Sequence, residues 1–506
     1  MLQEISNWID GEDNHPIYYL TGPAGSGKST IAQTVANHCA SNEVLVGTIF
    51  FSHAESLRIS TSRFFLTLAY QLAVFVPSIQ ASMQKLFEED PSFATKRLED
   101  HFMGLIYEPI LTLKQPVPPM IIIVDALDES EDAVGVVKLL RIITGALQDD
   151  LFPLRFFFTS RLEHHIETQF SESTTRRITT HLALEKWEVH NDIRVFLKLH
   201  LQRIRDEKHR IMTNLPEFWP SITDLNHLVS KSEGSFIWAS TLVKFVDDGL
   251  PHEKLRSALN THAGLDPLYH QVLSFPRGVN FRQLIGKILL LRTPLSIESL
   301  QDLINLRSDE ILELLQGLKS ILVIPEHDHG VIRPFHGSMR DFLISRSRSQ
   351  DLFIDPAVIH FALVRDCIAV IQSCLEKDTV ANQVVVYACE SWCYHLNLAL
   401  THGGDGFAPE SETCLSLVNC LRAISDQPEC WIANMGRGNQ WQIMQELRSA
   451  LVKLKVSHFV CYNFQSTIGS KVQQNMNFTS HRYLNSVVSE PNVSCLASMM
   501  FEIADL

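Results

Sequence analysis

The sequence predicts an α/β protein, a parallel sheet of five strands followed by helical parts, and three stretches predict it. "YYLTGPAGSGKSTIAQTVANHC" (18–39) sets a glycine-rich loop between an apolar run and an amphipathic one. "PPMIIIVDALDES" (118–130) and "LRFFFTSRLEHHI" (154–166) are short apolar runs that end in polar and charged residues. A strand buried on both faces has this continuous apolar composition. Charged residues at its C-terminal end lie where open α/β sheets gather their ligands.

The elements follow in order. "IYYL" opens strand one at 17–21, and Ile31, Val35 and Cys39 put one apolar stripe on the helix after the loop. Between them Gly22, Gly27, Lys28 and Ser29 match G-x-x-x-x-G-K-[ST], with Gly25 added. Glycines at this spacing let main-chain N–H groups converge on phosphate oxygens, and the helix aims its positive end at them. Lys28 then reaches the β and γ phosphates and Ser29 ligates magnesium. The candidate cradle is Gly22, Pro23, Ala24, Gly25, Ser26, Gly27, Lys28, Ser29 and Thr30. A plain glycine-rich strand–helix turn is the bland alternative, and the full motif between the right flanking elements disfavours it.

Strand two is "VLVGTIFF" at 44–51. Strand three ends in Asp125, the candidate magnesium carboxylate, with Asp128 and Glu129 just beyond, near enough to orient a water for attack on the γ-phosphate. Strand four ends in Thr159, Ser160 and Arg161. Arg161 is the candidate cation that senses the γ-phosphate or stabilises charge during transfer; the alternative is an ordinary pair with a carboxylate. "RRITTHLAL" at 176–184 is strand five. The guanine-reading N/T-K-x-D motif is not in the chain, which favours adenine and therefore ATP or ADP.

Beyond the sheet, residues 186–275 alternate helical stripes with breaks at "NLPEFWP" and "DDGLPHEK". Leu225, Leu228 and Val229, then Phe236, Trp238 and Leu242, have the spacing of helix core positions. "RQLIGKILLLR" stops at Pro294, Ser296 caps "IESLQDLINL", and Ser308 caps "DEILELLQGLKS". "ILVIPEHDHGVIRPFH" then reads as a hairpin turning near Gly330. Three helices and a hairpin make a winged helix. "YACESWCYHLNLAL" continues helical, "HGGDG" at 402–406 is a linker, and 407–506 holds helical fragments and a Ser/Asn-rich tail. The expected division is 1–185, 186–275, 276–350 and 351–506: the sheet domain, a helical domain, a winged-helix domain and a C-terminal helical region. No repeat with a period of about 20 to 50 residues is present.

"GPAGSGKSTIAQ", "IIIVDALDES" and "FFFTSR", in that order and at these separations, resemble the NACHT domain, especially of the nephrocystin-type proteins common in fungi. The pattern hhhhD, a small residue, an apolar residue, then D-E is typical of NACHT. "GSFIWASTLVKFV" (234–246) is similar to the helical segment after that NTPase core, and "LDPLYHQVL" (265–273) to the linker helix. The resemblance runs to about residue 400. An extra strand between the two nucleotide motifs resembles the P-loop NTPase division that includes the AAA+ and STAND ATPases. That implies an α/β P-loop NTPase core with sheet order 5-1-4-3-2. "PFHGSMRDFL" (334–343) sets His336 where STAND proteins place a histidine that folds back onto the phosphates, although Gly337 follows it instead of Asp. The resemblance implies a signal-transducing switch between ADP and ATP, in signalling, non-self recognition or cell death. Protein partners or a self-oligomer are implied in the triphosphate state. No sensor repeats are recognisable, and the stretch before residue 17 is too short for an effector domain.

Composition narrows the partners. The 506 residues carry 43 Lys+Arg against 57 Asp+Glu, a net charge of −14, and no local basic run, so no nucleic acid partner is expected. The acidic N-terminus has no signal pattern, and no apolar run reaches the roughly 18–20 residues of a membrane span. Nine of ten cysteines lie beyond residue 360 without a CxxC pair, which reads as reduced core thiols in a cytoplasmic protein. Two further readings compete with the switch: a nucleotide-stabilised scaffold with little turnover, and a P-loop kinase, whose acceptor pocket is nowhere legible.

Overall fold

The computed structural model describes residues 1–51, 61–90, 93–113, 120–130, 132–149, 152–212, 219–274, 280–377, 382–402 and positions 443, 446, 449 and 450. They form two compact units, Met1–Leu268 and Tyr269–Leu506.

The first unit is built on β1 (Ile17–Thr21), β2 (Leu45–Phe50), β3 (Met120–Asp125), β4 (Leu154–Ser160) and β5 (Thr179–Ala183). All pairings are parallel and the order is β2-β3-β4-β1-β5, the expected order read from the opposite edge. Strand side chains alternate between faces, so every apolar residue of these runs meets a cover. Tyr18, Leu20, Ile121, Ile123 and Phe157 pack on one face with α1 (Leu2–Ile9) and α2 (Lys28–Ser41). Ile17, Tyr19, Ile122, Val124, Phe156 and Phe158 pack on the other with α3 (Phe64–Phe75) and the helix Ala133–Ala146. Each such aromatic or aliphatic side chain contributes about 1.5–3 kcal/mol on burial, which makes the middle strands a rigid base for what their ends carry.

Register fixes which ends meet. Leu20 pairs with Thr159, Thr21 with Ser160 and Val124 with Phe158, so β1, β3 and β4 finish along one edge. Three strands differ from expectation at their boundaries, the second strand being Leu45–Phe50 where 44–51 was expected. The short helix Ser173–Arg176 takes the start of the fifth run, so β5 begins at Thr179. β4 ends at Ser160, which leaves Arg161 one residue past the strand.

After β5 come the helices His190–Glu207, Ile222–Lys231, Phe236–Asp247 and Pro251–Asn260. Leu225, Leu228, Val229, Trp238 and Leu242 are buried as their spacing predicts. Between the second and third of these helices the chain turns through Glu233 and Gly234, both at positive φ (49° and 77°). Ser235 then caps Phe236–Asp247, its hydroxyl accepting from the Trp238 N–H at 3.3 Å.

The second unit contains the helices Phe281–Leu290, Ile297–Ile304 and Ser308–Leu315 and an antiparallel ribbon of β6 (Leu322–Val323) and β7 (Arg333–Pro334). Ser296 caps its helix through the Ser299 N–H at 3.1 Å. Ser308 does not cap the next one. Glu310 accepts the Arg307 N–H at 3.3 Å, which moves the cap to Arg307, and the Ser308 hydroxyl donates to Gln301 at 2.8 Å. Helices Pro356–Lys377 and Gln383–His402 pair along their length, with Trp392, Tyr394 and Leu396 buried. Pro356–Cys374 is long and apolar enough to cross a membrane by length and composition, which corrects the expectation that no run reaches that length. Leu363, Val364, Cys367, Ile368 and Ile371 from it are buried within the unit. Most of the expected linker at 402–406, and the fragments and tail from 407 on apart from positions 443, 446, 449 and 450, lie outside the described residues.

Candidate functional site

The loop after β1 is bent by glycines where a side chain would collide. Gly25 and Gly27 adopt positive φ, 75° and 94°, and Gly27 starts α2 as its N-cap. A Cβ on Gly22 would stand 2.8 Å from Ser26 Oγ and 3.1 Å from Leu184 Cβ. The turn thus closes tightly over its own fifth residue, Ser26. Lys28 folds back into it, with Nζ donating to the Gly22 carbonyl at 2.7 Å and the Pro23 carbonyl at 2.9 Å. The Ser26 N–H reaches the same Pro23 oxygen at 3.3 Å. The loop therefore occupies its own donors with its own carbonyls.

Carboxylates from the neighbouring strand ends surround that ammonium. Asp125, at the end of β3, is buried and accepts from Thr159 Oγ1 at 2.5 Å and from the Ser29 hydroxyl. Thr159 in turn accepts the Ala126 N–H at 3.0 Å, so a hydroxyl on β4 ties down the chain where it leaves β3. Burial pushes the Asp125 carboxyl above the usual carboxylate range, while the bonds from Thr159 and Ser29 and the Lys28 charge pull it back. Burial pulls the Lys28 ammonium below the usual lysine range; Asp128 opposes this, Arg161 adds to it, and Asp125 and Glu129 oppose it again.

Past Asp125 the chain passes through Ala126 at φ 57° into a turn, Leu127–Glu129. The turn presents Asp128 to Arg161. The Arg161 main-chain N–H donates to Asp128 Oδ1 at 2.9 Å and its Nε lies 3.1 Å from Oδ2. Both predicted residues are therefore at the site and partner each other.

The loop residues 22–30, Asp125, Asp128, Glu129 and Arg161 all belong to one edge of the first unit. His336 belongs to the second unit, where its Nδ1 accepts the Ser338 N–H at 3.1 Å and lies 2.7 Å from Ser338 Oγ. The residues suit a phosphorylated ligand and a hard cation on two counts. Ser26 Oγ is buried without a protein partner inside the loop. Ser29 and Asp125 already form an oxygen pair of the kind Mg2+ takes from protein.

Sequence reasoning left three contributors without a role. Thr159 was legible only as the polar end of "FFFT", although it holds Asp125. Leu184 follows β5 and meets Gly22 across the sheet, a contact no local pattern encodes. Ile237 reads as one more residue in an apolar helix, yet its N–H donates to the Gly25 carbonyl at 3.2 Å.

A parallel sheet in this order, with a glycine loop folded round a lysine and an acidic strand end beside it, defines a P-loop NTPase fold. More narrowly, residues 2–161 match the family model described as Nephrocystin 3, N-terminal. No curated protein matched the sequence. Among solved structures, Cdc6p from Pyrobaculum aerophilum superposes with a TM-score of 0.32 at 12% identity, over 69% of this chain and 94% of that one. Orc1 of Aeropyrum pernix in complex with DNA gives 0.30 at 15%, over 70% and 92%. Drosophila ORC bound to DNA gives 0.30 at 13%, over 66% and 91%. Superpositions this loose place no residue or ligand in this chain.

One expectation is corrected here. Two of these three structures are of proteins on DNA, and the acidic composition of this chain does not by itself exclude a nucleic acid partner. The physical reason is that a net charge of −14 sums over every surface, whereas a nucleic acid meets one face.

Proposed function

We propose that the chain is a nucleotide-driven conformational switch of the STAND type that binds ATP and ADP with Mg2+ through residues 22–30. The observation that carries this reading is the Lys28 ammonium, buried on two loop carbonyls beside the Ser29–Asp125 pair. Lys28 and the loop amides exchange neutral carbonyl acceptors for anionic phosphate oxygens when nucleotide enters, and charge-assisted bonds are the stronger kind. Ser29 and Asp125 hold the metal, and Mg2+ bound there supplies positive charge to the phosphate tail. Glu129 orients the attacking water. Arg161 steadies charge at the γ-phosphate, with Asp128 as its positioning partner.

The parts after the sheet act as the moving elements: a helical domain over 186–275, a winged helix over 276–350 and the helices beyond. His336 restrains the ADP state, a role carried by the resemblance. A differential affinity of the two states for ADP and ATP, worth a few kcal/mol, is enough to drive such a switch. Slow hydrolysis resets it.

A scaffold that binds nucleotide with little turnover is the second reading, and the Asp128–Arg161 pair favours it. In that reading Asp128 largely neutralises Arg161, which leaves less charge to stabilise a transferring phosphoryl group. Single-turnover phosphate release from the whole chain separates the two. The switch expects slow release that Glu129→Gln reduces and ADP retained by the purified wild type. Hydrolysis unchanged by Glu129→Gln, with Lys28→Ala unfolding the protein, gives the scaffold.

A further inference from the structure

The phosphate loop is held from outside by a helix that the nucleotide motifs do not include. The helix Phe236–Asp247 begins over the loop, and its second residue makes two contacts with Gly25. The Ile237 N–H donates to the Gly25 carbonyl at 3.2 Å. The Ile237 side chain fills the space a Cβ on Gly25 would need, with Cγ2 only 2.0 Å from that position. The next glycine is also covered, since a Cβ on Gly27 would lie 3.9 Å from Phe236 Cδ2.

The N–H that Ile237 uses has no partner of its own in the helix, because first-turn amides lack an acceptor one turn earlier. It therefore reaches the loop at no cost to the helix. The peptide joining Gly25 to Ser26 is planar, and its C=O and N–H point in opposite directions. Fixing the carbonyl toward Ile237 turns the Ser26 N–H the other way, toward the Pro23 oxygen that Lys28 also touches. That places the amide among the donors the loop offers to a phosphate.

The turn before the helix fixes its approach. Glu233 and Gly234 at positive φ reverse the chain, the Ser235 N–H donates to the Ser232 carbonyl at 2.8 Å, and the Ser235 hydroxyl caps the helix. Trp238 and Leu242 then anchor the helix in the core. A buried helix is thus connected rigidly to one peptide of the phosphate loop.

We infer that Ile237 is a positioning residue of the phosphate site: its main-chain N–H orients the Gly25–Ser26 peptide, so docking of the helix Phe236–Asp247 and occupancy of the loop are linked. This rests on the nucleotide-binding reading above. Linkage makes the effect reciprocal. A docked helix raises affinity, and bound nucleotide holds the helix in place.

Ile237→Pro removes the one N–H. A helix's first turn accommodates proline, and this chain already carries Pro109 as the second residue of Glu108–Leu111. Ile237→Val keeps the N–H and a branched side chain. Equilibrium binding of a fluorescent ADP analogue to the whole chain is expected to weaken about tenfold for Ile237→Pro, the loss of one hydrogen bond to a group that aims a charged contact. Ile237→Val stays close to wild type. A proline variant that binds as tightly as wild type overturns the inference and leaves the nucleotide reading intact. Hydrogen exchange of the wild-type chain needs no variant and guards against misfolding. ADP is expected to protect amides 236–241 together with 22–30. Protection confined to 22–30 overturns the linkage. Wild type that takes up no ADP removes the nucleotide reading itself, and this inference with it.

Discussion

At Asp125, burial and function pull in opposite directions. Its carboxyl titrates higher in the folded chain than in the unfolded one, so the native state holds more protons across that window. The stability this group contributes is present below the window and lost as pH rises through the folded value. Asp125→Asn is neutral throughout and still accepts the Thr159 bond. It is expected to raise the melting temperature of nucleotide-free chain at neutral pH, by about 2–4 °C for each kcal/mol recovered, while removing the response of nucleotide affinity to Mg2+. A variant that melts lower than wild type in a calorimetric scan contradicts this. Thr159→Val tests the same carboxyl from the other side. It deletes a bond that lowers the Asp125 pKa, so the pH below which Mg2+ ceases to strengthen binding is expected to move upward. Titrations of affinity against Mg2+ at several pH values read it, and a downward movement counts against the assignment.

At the scale of elements, the site depends on where strands stop and how the chain is tied down after them. Asp132 caps the helix Ala133–Ala146 through the Gly135 N–H at 2.8 Å and accepts Thr61 Oγ1 at 2.5 Å. Asp132→Ala is expected to cost about 1–2 kcal/mol in urea unfolding; an unchanged midpoint would mean the cap is idle. The strands themselves were legible, because a run such as "MIIIVD" can be satisfied only between two covered faces. Their order came from resemblance and holds in the structure. The fifth strand starts late because Ser173–Arg176 closes a helical turn first, a local competition that apolar patterning does not register. Ser308 shows the same limit. A serine ahead of an acidic helix looks like a cap, yet the Glu310 carboxylate reaches the Arg307 N–H and takes the role.

Across the whole molecule, what the sequence could reveal thins out with distance along the chain. Lys28, Ser29 and Asp125 stand out in the sequence because each sits in a short motif of contiguous residues. Leu184 and Ile237 do not, because their contacts with Gly22 and Gly25 join segments far apart in sequence. The charge total does not decide about nucleic acid for a related reason, since a sum has no position. The two compact units give the switch its own test. Nucleotide at about a hundred times its Kd adds roughly 2.7 kcal/mol to whatever binds it. Calorimetric melting is expected to show the transition of Met1–Leu268 moving up with ADP, and the switch requires the second unit's transition to respond as well. A second transition indifferent to nucleotide leaves the scaffold.

Isothermal titration of the whole chain with ADP and ATP, in the presence and absence of Mg2+, addresses the central claim most directly. One binding site per chain is predicted, strengthened by Mg2+ for ATP and lost in Lys28→Ala, whose fold is checked in parallel by circular dichroism. Folded wild-type protein that gives no heat with ATP, ADP, GTP or GDP, with or without the metal, would contradict it.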